Sequence, residues 1–198
     1  MKKQLALALH SIGAVKFGEF TLKSGMKSPI YIDLRVLVSY PEVLGQVADE
    51  MIVLAKKLKF DRIAGIPYAA LPIATAISLK TGWPMVYARK EVKDYGTKRM
   101  LEGNFKPGET ILAVDDLITT GESKFIVITP FEEAGLHVKD VLVLIDREQG
   151  GKKLLEGKGY HLHAVLKIHE MLEILKKEGK IADSMVDEVL AFLAANQV

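Results

Sequence analysis

An α/β fold built on a mostly parallel sheet follows from three features of the sequence. From about residue 60 to residue 178, short apolar runs alternate with stretches of helical period. The apolar runs are near-continuous rather than alternating with polar residues, as in strands buried on both faces. No linker between them is long enough to split the 198-residue chain. One central sheet with helices on both faces is therefore expected. In such open sheets ligands sit beyond the carboxyl ends of the strands, so the loops that follow strands should carry the chemistry.

Taken in order, residues 3–14 and 41–58 read as helices. In the second, Val43, Leu44, Val47, Ala48, Met51 and Leu54 share a face, and Pro41 suits the first turn. Residues 62–66 form a short buried strand, 71–80 a helix, 84–88 a strand and 110–114 a clear strand. A helix over 124–135 is stopped by Gly135. Strands at 138–145 and 163–168 follow, then helices near 169–178 and 183–196. The stripe Met171, Leu172, Ile174 and Leu175 is expected in the core.

Bulk composition narrows the function. Net charge is +2, from 27 basic and 25 acidic residues, so the whole molecule carries no nucleic-acid signature. The absence of cysteine excludes disulfides, thiolate zinc sites and cysteine nucleophiles. The first fifteen residues read as an amphipathic helix, because His10 interrupts the apolar run and no small-residue cleavage site follows. No apolar run reaches membrane-spanning length, so no membrane partner and a cytoplasmic location are expected.

The most informative segment follows the strand at 110–114. It reads Asp115-Asp116-Leu117-Ile118-Thr119-Thr120-Gly121-Glu122-Ser123. Two carboxylates end an apolar run, and a Thr-Thr-Gly-x-Ser turn opens a helix. Amide N–H groups at a helix start bind a phosphate dianion, Gly121 lets the backbone approach it, and Thr119, Thr120 and Ser123 add hydroxyl donors. The acids suit ribose hydroxyls, or a Mg²⁺ held mainly through water and substrate oxygens. The plainer alternative is a capped helix start.

A second segment, 89–103, carries five cations within residues 89–99 and glycines at 96 and 103. It has no clean period and lies between two strands. Such a loop is a lid that clamps a pyrophosphate, a solvated charged hairpin or a nucleic-acid patch, and composition alone favours the hairpin.

The order of residues in these segments resembles the type I phosphoribosyltransferases, and among them the orotate phosphoribosyltransferases. The string Asp115 to Ser123 is similar to their motif for phosphoribosyl pyrophosphate (PRPP). Arg89-Lys90-Glu91-Val92-Lys93-Asp94-Tyr95-Gly96-Thr97-Lys98 resembles their catalytic loop, in the version found in the orotate domain of UMP synthases. Phe17 to Gly25, Lys27 to Asp33, Gly65 to Pro72 and Asp146 to Gly151 extend the likeness over nearly the whole chain.

The resemblance implies the type I phosphoribosyltransferase fold, as one domain over 1–198. A small hood would come largely from residues 1–40 and the core from about 41–198. It also implies transfer of the phosphoribosyl group from PRPP to orotate, in UMP synthesis. It places Arg89, Lys90 and Lys93 on the pyrophosphate, with Tyr95 beside them, and Asp115 and Asp116 on the ribose hydroxyls. Leu117 and Ile118 lead into the segment from Thr119 through Thr120, Gly121 and Glu122 to Ser123, on the 5′-phosphate. Lys23, Tyr31, Thr119 and Arg147 would contact orotate, with Lys23 touching PRPP as well. The catalytic set would be Lys93, Arg89, Lys90, Asp115 and Asp116. Mg²⁺ is the implied cofactor, near Asp115 and Asp116. A homodimer is the implied assembly, with the 89–103 loop reaching the neighbouring site.

Two departures stand out. Ala69 replaces a Lys common in bacterial members, and Tyr95 stands where many have His. The histidines His161, His163 and His169 lack the companions of a zinc set and are expected to be ordinary half-buried side chains. Two other classes compete. A transferase for a purine would keep the Asp-Asp segment but lose Arg147 and Thr21-Leu22-Lys23-Ser24-Gly25. A non-catalytic PRPP sensor would show a degraded basic loop or an added DNA-reading module.

Overall fold

In the computed structural model, which describes residues 2–22, 25–89 and 100–197, the chain opens with α1 (Lys2–Ser11). A hairpin of β1 (Val15–Thr21) and β2 (Lys27–Ile32) follows, then a 3₁₀ turn over Leu34–Ser39 and α2 (Pro41–Ala55). Next come β3 (Arg62–Gly65), α3 (Ala70–Thr81), β4 (Met85–Ala88) and the two-residue β5 (Leu101–Glu102). The second half runs β6 (Thr110–Ile118), α4 (Glu122–Glu133), β7 (His137–Asp146) and α5 (Gly151–Gly157). It closes with β8 (His161–Lys167), α6 (Ile168–Lys177) and α7 (Asp183–Ala195).

The six-stranded sheet has the order β5-β4-β3-β6-β7-β8. All neighbouring pairs are parallel except β4 with the edge strand β5. After β3 the chain steps outward to β4, then returns to the other side of β3 as β6. This reversal between β3 and β6 opens a crevice at their carboxyl ends.

Side chains on a strand leave alternate faces, and the core divides accordingly. Leu112 and Val114 of β6 join α1, α2, α3, α6 and α7 on one side. Ile111 and Ala113 join Val127, Ile128 and Phe131 of α4 and Leu155 of α5 on the other. Helices thus cover both faces, as the apolar strands require. The stripe on α6 is core: Met171, Leu172 and Leu175 are fully buried. Lys2 and Lys3 of α1 reach across to Glu170 and Glu178 around α6.

Several elements differ from the sequence expectation. β1 and β2 form an antiparallel hairpin that hydrophobic period alone did not reveal, because its half-exposed strands mix polar and aromatic residues with a register shift between Phe17 and Phe20. The short α5, which opens at Gly151, was not among the helices expected. The largest correction concerns β6, which runs to Ile118 rather than ending at Val114. Its partner β7 continues beside it, pairing Asp115 with Val143 and Ile118 with Asp146, so Asp115 and Asp116 are strand residues. The helix α1 ends at Ser11, before Gly13 turns the chain at φ 71.

At the opposite pole, Arg62 forms a two-pronged pair with Glu109, at 2.5 and 2.8 Å. The Arg62 hydrogen bonds, aided by the Lys106 amide, hold the Glu109 carboxyl down to about 2 from its ordinary 4.5. A depressed carboxylate contributes stability above its unfolded value and loses it as pH falls through its folded value. Glu109→Gln is therefore expected to be less stable than the parent at pH 7, with the difference shrinking as pH falls from 4.5 toward 2. Urea midpoints at pH 7 and pH 3 check this; a difference independent of pH would count against it.

Candidate active site

The β6–β3 ladder stops at Gly65 and Val114, whereas β6 continues along β7 to Ile118. From Asp115 onward β6 therefore has an open side above the end of β3. A cleft of about 490 Å³ fills this space. It is lined by Asp115, Asp116, Ser123 and Lys124 from the β6–α4 unit, Ile66 to Ala69 after β3, and Ile32 to Arg35 after β2. The peptide between Pro67 and Tyr68 in the second of these segments is cis.

The two acids differ. Asp115 keeps the phase of Ile111 and Ala113 and points toward α4, where it is 4% exposed. Its Oδ1 accepts from the Asp116 amide at 2.8 Å, and its Oδ2 is paired with Lys124 Nζ. Burial pushes the Asp115 carboxyl upward from the ordinary carboxylate range, and the Lys124 ammonium opposes that rise. Asp116 is half-buried, and its Oδ1 accepts from the Leu117 amide at 2.8 Å. It also lines the cleft.

The turn after Ile118 enters α4 through Gly121, whose φ of 90 is a backbone state that favours glycine. The first amides of α4, at Glu122 and Ser123, have no partner inside the helix and point out of its positive end. Gly151 packs directly beneath this turn, donating its amide to Thr119 O at 3.0 Å. A Cβ on Gly151 would lie 2.6 Å from both Ile118 Cγ1 and Thr119 O. Arg147 comes alongside as well, donating its amide to Ile118 O at 3.0 Å. So the carboxyl ends of β6 and β7 bring Ile118, Thr119 and Arg147 together.

Arg147 is half-buried. Its Nε is buried without a hydrogen-bond partner in the protein. Burial lowers its affinity for a proton, yet guanidinium does not deprotonate in proteins, so the group stays charged. Arg89 at the mouth of the basic segment bonds Glu102 at 3.3 Å. Tyr31 stacks obliquely on Phe20, with ring centroids 5.5 Å apart. Tyr31, Thr119, Thr120, Gly121 and Arg147 are not among the residues lining the cleft. Lys23, Lys90, Lys93 and Tyr95 lie outside the described residues.

Two cleft residues escaped sequence reasoning. Asp33 and Arg35 are joined by hydrogen bonds of 2.7 and 2.8 Å, and Asp33 caps the 3₁₀ turn through the Arg35 amide. An Asp-x-Arg spacing before a helical turn was the available signal. Lys124, read only as a helix start, proves to be the partner of Asp115. His163 is hydrogen-bonded to Asp140 at 2.7 Å and His169 to Glu148 at 2.6 Å. Among the described residues no cluster of three His, Cys, Asp or Glu side chains stands ready for a metal ion. Nor, among them, is any helix long and apolar enough to cross a membrane.

No family model matches the sequence. Individual proteins do. The chain is 39% identical over 188 residues to the orotate phosphoribosyltransferase of Caenorhabditis elegans, covering 94% of this chain and 83% of that protein. The chain belongs to the orotate phosphoribosyltransferase family. It is also 42% identical over 194 residues to the uridine 5′-monophosphate synthase of Bos taurus, covering 97% of this chain and 40% of the synthase. The solved structure of Leishmania donovani UMP synthase superposes with a TM-score of 0.90 at 44% identity, over 98% of this chain and 42% of that one. The chain thus spans about two fifths of the length of these synthases. The fold is the type I phosphoribosyltransferase α/β fold, with its small N-terminal antiparallel sheet.

In this orotate phosphoribosyltransferase family member, the contact beneath the Thr119 turn is the tightest feature of the site. Gly151→Ala is expected to destabilise the protein by about 1–3 kcal/mol, because backbone rather than a flexible side chain opposes the new methyl. Denaturant midpoints measure this; an unchanged midpoint would show that the turn gives way freely.

Proposed function

We propose that this chain transfers the 5-phosphoribosyl group of PRPP to orotate, forming orotidine 5′-phosphate and pyrophosphate. The observation that carries the reading is the pairing of an amide-lined helix start at 119–123 with the half-buried Arg147, whose Nε has no hydrogen-bond partner among the described residues, one backbone hydrogen bond apart. The helix start suits a single phosphate. The guanidinium suits a planar carboxylate, which it meets with two parallel hydrogen bonds. Orotate carries such a carboxylate; purine bases and uracil do not.

In this reading, displacement at the anomeric carbon moves positive charge onto the ribose and negative charge onto the departing pyrophosphate. Asp116, which lines the cleft, holds the ribose hydroxyls and faces the sugar as it becomes cationic. Thr119, Thr120 and Ser123 with the α4 amides hold the 5′-phosphate. Arg89, Lys90 and Lys93 meet the pyrophosphate, with Tyr95 beside them, and Lys23 and Tyr31 border orotate. Well-placed donors at a site of developing charge contribute about 3 kcal/mol each to the rate.

The hard carboxylate oxygen of Asp116 fits Mg²⁺, which takes one or two carboxylates and completes its shell with water and substrate oxygens. When bound, the ion neutralises charge on the pyrophosphate. The reading includes a cytoplasmic homodimer, with the basic 89–103 segment of one copy serving the other's site.

The test is PRPP-dependent consumption of orotate, measured beside adenine, hypoxanthine and uracil. Orotate alone should be consumed, and Arg147→Lys should raise the KM for orotate by at least about tenfold, the loss of one charge-assisted hydrogen bond. Consumption of a base lacking a carboxylate, or an unaltered KM in the variant, would contradict the assignment.

A further inference from the structure

Lys124 has no role in the scheme above, and its surroundings are unusual. It is the third residue of α4, in the first turn, yet its side chain turns back beneath the strand and is 6% exposed. Its Nζ donates to Leu117 O at 2.9 Å and is paired with Asp115 Oδ2. These two acceptors flank Asp116 in the sequence. Asp115 in turn accepts the Asp116 amide through its remaining oxygen, and Asp116 accepts the Leu117 amide. A continuous hydrogen-bonded ring therefore runs from α4 through Lys124 to both neighbours of Asp116.

Such a ring is costly to build for stability alone. Removing a lysine from water demands compensation, and a well-packed apolar pair of the same volume is often as stable. What an ammonium adds is geometry, since three directed donors can hold two different backbone regions at once. Here it links the element whose amides face the 5′-phosphate to the strand that carries Asp116.

We propose that Lys124 is a positioning residue: it staples the end of β6 to the first turn of α4 and so fixes Asp116 against the ribose hydroxyls. Both oxygens of Asp115 are engaged by this staple, so Asp115 serves mainly as its anchor and Asp116 as the acid that meets the sugar. The inference rests on the PRPP reading above, because it assigns a ribose to the cleft.

The test separates the two halves of the ligand. Ribose 5-phosphate reports the cleft and the α4 turn; inorganic pyrophosphate reports the basic segment. Calorimetric titration of each into the full chain, as the parent and as Lys124→Met, gives the comparison. In Lys124→Met, ribose 5-phosphate is expected to bind at least about tenfold more weakly, the loss of a hydrogen-bonded charge at the site. Pyrophosphate affinity should stay within about twofold of the parent. Equal weakening for both ligands, or none for ribose 5-phosphate in a folded variant, overturns the proposal. If Lys124→Met fails to fold by circular dichroism, Lys124→Gln, which keeps a polar terminus in the cavity, takes its place with the same criteria. A parent protein that binds neither ligand would instead refute the PRPP reading itself.

Discussion

The site depends on the unequal length of the two ladders of β6. Against β3 the strand is paired only as far as Val114, but against β7 it continues to Ile118. Four further residues are thus held as rigidly as any in the sheet while one of their edges stays open. Backbone polar groups there are satisfied on the β7 side, so the overhang carries little desolvation cost. Its open side becomes the wall of the cleft. Two carboxylates projected from a floppy loop would have to be ordered at the moment of binding; from a strand they are ordered already.

The overhang also explains why Gly151 and Lys124 matter. A strand end without a neighbour on one side needs support from above and below. Gly151 supplies it by letting its backbone approach Ile118 and Thr119 to a distance no side chain would permit. Lys124 supplies it from α4 through Leu117 O and Asp115. The same contacts place Arg147, since its amide closes on Ile118 O. The Thr119 turn, the acid pair and the guanidinium are consequently parts of one supported strand end.

Much of this was legible in the sequence, and the limits have physical causes. The buried strands 62–65, 110–114 and 137–146 announce themselves because both faces meet apolar helices. The end of β6 does not, because Asp115 and Asp116 look like a strand terminus to any reading based on hydrophobic period. Only the neighbouring ladder with β7 shows that pairing continues. The hairpin at 15–32 hid for a related reason: it is half-exposed, and its register shift breaks strict alternation. Arg147 was found through resemblance, yet the orphaned Nε that gives it a ligand-seeking character is a fact of packing. The pairing of Lys124 with Asp115 spans nine positions and two elements, and no local pattern signals it.

Hydrogen exchange with and without PRPP and Mg²⁺ tests the central claim most directly, since it reads the backbone amides themselves. The account predicts added protection at residues 115–123 and 147–151, in addition to the basic segment proposed to meet the pyrophosphate, and none around Arg62 and Glu109 at the far pole. Protection spread evenly over the sheet, or absent from the Thr119 turn, would show that the overhanging strand end is not where the ligand is held.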